Sequence, residues 1–180
     1  MKILKNIILF FLAIIVLLLV AGLFVKKEYA IEREIVINKP KAEVFDYIRH
    51  IKNQDNYSVW NQKDPAMKKE YKGNDGEVGF VYAWESTSKE VGKGEQEIVR
   101  IVDGDRVDMK LRFKEPFEAD DDAYMITEAV SENQTKVKWG FKGSINYPMN
   151  LMLLFMDMEK ELGGALDTGL KDMKAILEKQ

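Results

Sequence analysis

The hydrophobic pattern changes character several times along this chain. From Ile7 to Val25 it has no polar break: 19 consecutive residues are apolar or glycine, bounded by Lys5-Asn6 and Lys26-Lys27. As a helix rising about 1.5 Å per residue, such a run reaches roughly 28 Å, close to the hydrocarbon thickness of a bilayer. A cleaved signal peptide has a shorter apolar core and a small-x-small cleavage site, and Leu23-Phe24-Val25-Lys26-Lys27 offers none. The segment therefore reads as an uncleaved transmembrane anchor, residues 1–29, ahead of a domain covering 30–180. The short leader carrying Lys2 and Lys5 favours a cytoplasmic N-terminus and a domain outside the cytoplasm, although Lys26 and Lys27 pull the other way.

Beyond the anchor the pattern becomes that of an α+β domain. Residues 31–37 are β-rich and end at Asn38-Lys39-Pro40, after which Val44, Phe45, Ile48 and Ile51 recur at helical spacing. A second short helix or turn is expected around 53–60. Turn signals at Gly73–Gly76, Gly92–Gly94, Asp103–Asp105 and Ser131–Asn133 then separate strands expected at 67–72, 78–85, 93–102, 106–114, 118–130 and 135–143. Two of these alternate cleanly. Val107, Met109, Leu111 and Phe113 oppose Arg106, Asp108, Lys110 and Arg112, while Val137, Trp139 and Phe141 oppose Lys136, Lys138 and Lys142. Such alternation requires a sheet with one wet and one buried face.

The chain ends in a helical pattern over 149–178, with Leu151, Leu154, Phe155, Met158, Leu162, Leu166, Leu170, Met173 and Leu177 on one broad face. The simplest packing lays this long helix across the concave face of a curved antiparallel sheet. Gly163, Gly164 and Gly169 interrupt it, each costing about 1 kcal/mol relative to Ala. They allow either close approach of helix and sheet or room for a ligand, and the second is the preferred expectation.

Composition removes whole classes of chemistry. The 180 residues contain no Cys and one His, His50, so thiolate catalysis and zinc or iron sites built on thiols or several imidazoles are excluded. No metal and no cofactor is expected. Of 27 Lys+Arg and 30 Asp+Glu, the anchor holds Lys2, Lys5, Lys26, Lys27 and Glu28, leaving 23 bases against 29 acids in 30–180 and a net charge of −6. An acidic body without a basic stripe argues against nucleic acid.

The order strand, two short helices, six strands and a long helix resembles the SRPBCC superfamily over nearly all of 30–180. The resemblance rests on Ile35-Val36-Ile37-Asn38-Lys39-Pro40 with Val44-Phe45, and on Trp60-Asn61 to Asp64-Pro65. It also rests on Gly76-x-Val78-Gly79 into Tyr82-x-Trp84, on Gly92-x-Gly94-Glu95 with Glu97-Ile98, and on Leu154-Phe155-Met156-Asp157-Met158. That superfamily shares the helix-grip fold of START-type lipid-binding domains, pollen-allergen-like and polyketide cyclase-like proteins. The chain is most similar to bacterial members named polyketide cyclase, some of which carry an N-terminal membrane helix. Its oxygenase branch binds iron through His and carboxylate ligands that this chain cannot supply.

The resemblance implies a cavity between sheet and helix, for which Tyr82, Trp84, Met109, Phe113, Trp139, Phe141, Phe155, Met158 and Leu162 are the candidate lining. The alternative is that these side chains pack solidly as core. Met149, Met152, Met156 and Met158 tilt towards an adaptable apolar site. Glu85, Glu95 and Glu97 are the best acid/base candidates, but they are inward only if Val99 and Ile101 are, and solvated if Ile98 is. His50 reads as a helix-end cap, and Glu118–Asp122 as a solvated strand start. The expected function is a membrane-tethered, non-catalytic domain that binds a hydrophobic small molecule or lipid. A cyclase- or hydratase-like enzyme and a protein-interaction module remain alternatives.

Overall fold

The computed structural model describes residues 2–179. Helix α1 (Lys2–Gly22) is long and apolar enough to cross a membrane, and buries only Gly22 against the rest of the chain. Strand β1 (Glu28–Ile37) follows, then helix α2 (Lys41–Arg49), a 3-10 helix at Ile51–Asn56 and helix α3 (Val59–Lys63). Strands β2 (Lys68–Lys72), β3 (Val81–Glu85), β4 (Lys93–Val102), β5 (Arg106–Glu115), β6 (Ala119–Ser131) and β7 (Gln134–Ser144) come next. A 3-10 helix at Met149–Leu154 and helix α4 (Met158–Leu177) close the chain.

All seven strands form one antiparallel sheet in the order β1-β7-β6-β5-β4-β3-β2. Strand β1 starts at Glu28 rather than residue 31 because β7 extends beside it, pairing Glu28 with Ser144 and Tyr29 with Gly143. The inner face carries the alternate residues expected: Val107, Met109 and Leu111 of β5, and Val137, Trp139 and Phe141 of β7. Leu166, Leu170, Met173 and Leu177 of α4 and Val44, Phe45 and Ile48 of α2 cover it, forming one core. Charged contacts pin α4 to β1: Arg33 reaches Glu159 at 2.6 Å and Asp167 at 3.2 Å, and Lys174 donates to the Val36 carbonyl.

Two expectations fail at the C-terminal end. The single helix over 149–178 is broken, because Asp157 accepts a hydrogen bond from the Lys160 amide and caps a new helix at Met158. Glu159 and Glu161 then fill the first turn, where negative charge complements the helix dipole. The residues before this cap leave the α4 face: Phe155 is 82% exposed, and Leu154 and Met156 are exposed beside it. Instead, the 3-10 segment packs on the end of α1. Asn150, fully buried, donates its side-chain amide to the carbonyls of Gly22 at 2.7 Å and Val25 at 3.1 Å. It thereby caps the last carbonyl of α1 and ties down the chain that follows it, from a distant part of the sequence.

Candidate functional site

A cavity of about 270 Å3 lies between the sheet, the α3 region and the start of α4. Its apolar wall is aromatic. Trp60 of α3 stands edge-on to Trp139 of β7, with ring centres 6.5 Å apart, and 5.9 Å from Phe141. Trp84 of β3 meets Phe113 of β5 at 5.9 Å, and its indole N–H donates to the Val91 carbonyl. Gly94 on the neighbouring strand makes room for this indole: a Cβ there would stand 2.7 Å from Trp84 Cζ2. The second of the spaced glycines before Glu95 thus shapes the cavity. Met158 and Leu162, on the first turns of α4, close it from above.

A second wall is polar and uncharged. Gln54, Ser58 and Asn61 come from the helical segment before β2, and Tyr82 and Gln96 are cross-strand partners on β3 and β4. All five are buried. Asn61 donates to Tyr82 Oη at 3.1 Å and to Asp55 Oδ1 at 2.7 Å. Burial away from solvent raises the Tyr82 phenol pKa above its ordinary value of 10.0, with Asp55 and Tyr71 adding to the rise, so it remains a hydroxyl. Gln54 and Gln96 direct their amides at one thioether, Met109 Sδ, at 3.9 Å and 2.7 Å.

The rim holds Glu90, Glu115 and Asp121, and no Lys, Arg or His is among the lining residues. Asp121 corrects the expectation of a solvated start to β6: it is only 5% exposed. Its Oδ2 accepts from Tyr29 Oη at 2.7 Å, while Oδ1 is sealed from solvent without a hydrogen-bond partner of good geometry. Burial raises its pKa above 3.8, opposed by the Tyr29 hydroxyl, the nearby Ser144 amide and Lys110.

Of the residues expected to line a ligand site, Tyr82, Trp84, Phe113, Trp139, Phe141, Met158 and Leu162 are at this cavity. Met109 and Phe155 are not. Met109 sits behind the wall as the sulfur acceptor for the two glutamines, and Phe155 is displaced outward by the break before α4. The carboxylate candidates lie elsewhere. Glu85 is exposed and pairs with Lys93; Glu95 and Glu97 point to the outer face, where Arg112 reaches both and Lys114 reaches Glu95. The Lys114 and Arg112 contacts hold the Glu95 carboxyl below its ordinary pKa, against a smaller opposing effect of burial. His50 follows α2, 3.7 Å from Asp75 and outside the cavity. The polar wall itself was missed. The charged alternation Lys93, Glu95, Glu97 already places Gly94, Gln96 and Ile98 on the opposite, inner face.

No family model and no curated protein matches the chain. Solved structures do. A Chromobacterium violaceum protein aligns with a TM-score of 0.58 at 14% identity, covering 83% of this chain and 96% of its own. Truncated norcoclaurine synthase from Thalictrum flavum aligns at 0.61 and 10% identity, covering 87% and 97%. Ara h 8.0201 aligns at 0.54 and 15% identity, covering 85% and 99%. At these identities the likeness concerns architecture alone. Residues 28–177 form an antiparallel sheet wrapped on a long C-terminal helix, and the chain has the helix-grip fold of the SRPBCC-like proteins, preceded by an apolar helix.

Proposed function

We propose that this protein is a membrane-tethered binding domain that holds a hydrophobic small molecule or lipid segment in the cavity under α4 and does not transform it. The observation that carries this reading is the cavity itself, about 270 Å3 walled by Trp60, Trp84, Phe113, Trp139 and Phe141. A cavity of roughly 150 Å3 admits benzene, so this one suits about ten heavy atoms. Residues 1–29 are the anchor and 30–180 the domain, oriented with the N-terminus in the cytoplasm by Lys2 and Lys5. With α1 in a bilayer, the Asn150 clamp holds the exposed Met149, Met152, Phe155 and Met156 at headgroup depth, two residues from Met158 on the cavity wall.

One observation favours the enzyme alternative, a cyclase-like activity: Asp121 is a buried carboxyl of raised pKa at the cavity, beside Tyr29. Binding is preferred because Oδ2 is already engaged by the Tyr29 hydroxyl and Oδ1, though without a hydrogen-bond partner, is sealed from solvent. The test is to purify the full chain in nanodiscs and identify co-purifying molecules by mass spectrometry. A stoichiometric apolar compound, lost in Leu162→Trp, supports the reading. A preparation free of ligand that binds no apolar probe overturns it.

A further inference from the structure

The cavity has two chemically different walls, and three side chains of the uncharged polar one, Gln54, Ser58 and Gln96, have no evident structural task. Gln54 and Gln96 are 5% and 6% exposed, yet among the described residues their side chains hydrogen-bond only to the sulfur of Met109. A thioether is a weak acceptor, so the two amides have few protein partners, and their oxygens, not sealed off within the fold, are left to whatever occupies the cavity. Ser58, also buried, stands at the N-cap position of α3 but makes no capping hydrogen bond. These three side chains line the cavity together with Tyr82. A buried polar group is retained at low cost only when something satisfies it, and hydrocarbon would not.

Charge narrows the occupant further. The only carboxyl groups on the lining are those of Glu90, Glu115 and Asp121, and there is no basic side chain to pair with an anion. Glu90 is itself neutralised by Lys63 at 2.7 Å, outside the lining. A carboxylate or phosphate placed against Gln54 and Gln96 would be desolvated without a counter-charge. A neutral hydroxyl or carbonyl would not be.

We infer that the ligand is a neutral amphiphile, whose hydroxyl or carbonyl group is received by Gln54, Ser58 and Gln96 and whose apolar part lies against Trp60, Trp139 and Phe141. This rests on the proposed binding role and names the ligand class within it; fatty acids and phosphate-bearing head groups are excluded from the pocket.

Trp60, Trp84 and Trp139 are the three tryptophans of the chain and all line the cavity, so the whole tryptophan emission reports on it. Full-length protein in nanodiscs is titrated with 8-bromooctan-1-ol, 8-bromooctanoate and 1-bromooctane at pH 8, bromine quenching tryptophan on contact. The alcohol is expected to quench at a concentration about tenfold or more below the carboxylate. Gln96→Leu, and separately Gln54→Leu, should weaken the alcohol about fivefold relative to bromooctane. The head-group series on the unaltered protein stands even if a variant fails to fold. Equal or tighter quenching by the carboxylate overturns the inference. So does an alcohol response that neither variant changes, although binding as such then survives. Quenching by none of the three defeats the binding role and this inference together.

Discussion

Gly169 of α4 lies against the indole of Trp139: a Cβ at this position would stand 2.8 Å from Trp139 Cζ3 and 3.0 Å from the Tyr57 carbonyl oxygen. The glycine permits close approach of helix to sheet, not space for a ligand as the sequence pattern suggested. Trp139 is buried and braced by Tyr57 at 5.6 Å, so the ring cannot easily yield. Gly164, by contrast, has nothing within 4 Å of an added Cβ. Gly169→Ala is therefore expected to lower stability by about 1 kcal/mol, overpacking outweighing the helix-propensity gain. Gly164→Ala should raise it by about 0.5–1 kcal/mol. Urea unfolding of the two variants, followed by tryptophan emission, checks the opposite signs.

Most of the architecture was legible because periodicity reports burial directly. The alternation of Val107, Met109 and Leu111 reappears as three buried residues on one face. Parity on β4 was legible over 93–98 but not across its C-terminal half, and the reason is a bulge. Ile98 pairs with Met109 and Arg100 with Asp108, leaving Val99 as an extra, exposed residue. Ile98 and Ile101 consequently face the same side although three positions apart, so parity carried back from Val99 and Ile101 across the bulge turns Glu95 and Glu97 to the wrong face. The break before α4 was hidden for another reason. Leu154 and Phe155 fit the helical stripe, but the Asp157 cap and the pull of Asn150 on α1 override it, tertiary contacts that no local pattern reports.

The Asn150 clamp predicts a change in how the domain is joined to its helix. Replacing it with Ala removes both hydrogen bonds, to the last carbonyl of α1 and to that of Val25 beyond it, and leaves them without this buried donor, a loss of about 1–3 kcal/mol. Opening of the 23–27 connection should rise roughly 5–150-fold. Trypsin cleavage after Lys26 and Lys27 in nanodisc-embedded protein measures that opening. An unchanged cleavage rate would mean the clamp contributes nothing.

The outer-face placement of Glu95 and Glu97 makes an equally plain prediction. Glu95→Gln with Glu97→Gln removes their ion pairs with Arg112 and Lys114, which are partly exposed and together contribute no more than about 1 kcal/mol. Cavity occupancy, read as tryptophan quenching by an apolar bromide, should be unaltered. Loss of quenching in a folded double variant would place these carboxylates in the site after all.

Asp121 predicts the sign of a pH dependence. Its carboxyl is held above 3.8 chiefly by burial, with the Tyr29 hydroxyl bond opposing the shift only in part. A carboxyl that titrates higher in the folded than in the unfolded chain binds more protons when folded. Stability contributed at this site is therefore greatest below pH 3.8 and declines as pH rises through the folded pKa, after which the deficit is constant. Asp121→Asn keeps the shape and can still accept the Tyr29 hydroxyl hydrogen bond, but it carries no charge to desolvate. Unfolding free energies of the two proteins should converge at the acid end of a series from pH 3.5 to 8 and separate as pH increases, the variant being the more stable at neutral pH. Two-state urea melts at each pH give the difference. A difference that shrinks with rising pH would show that the Tyr29 contact, not burial, governs the group, and that Asp121 is a stabilised carboxylate available as a base.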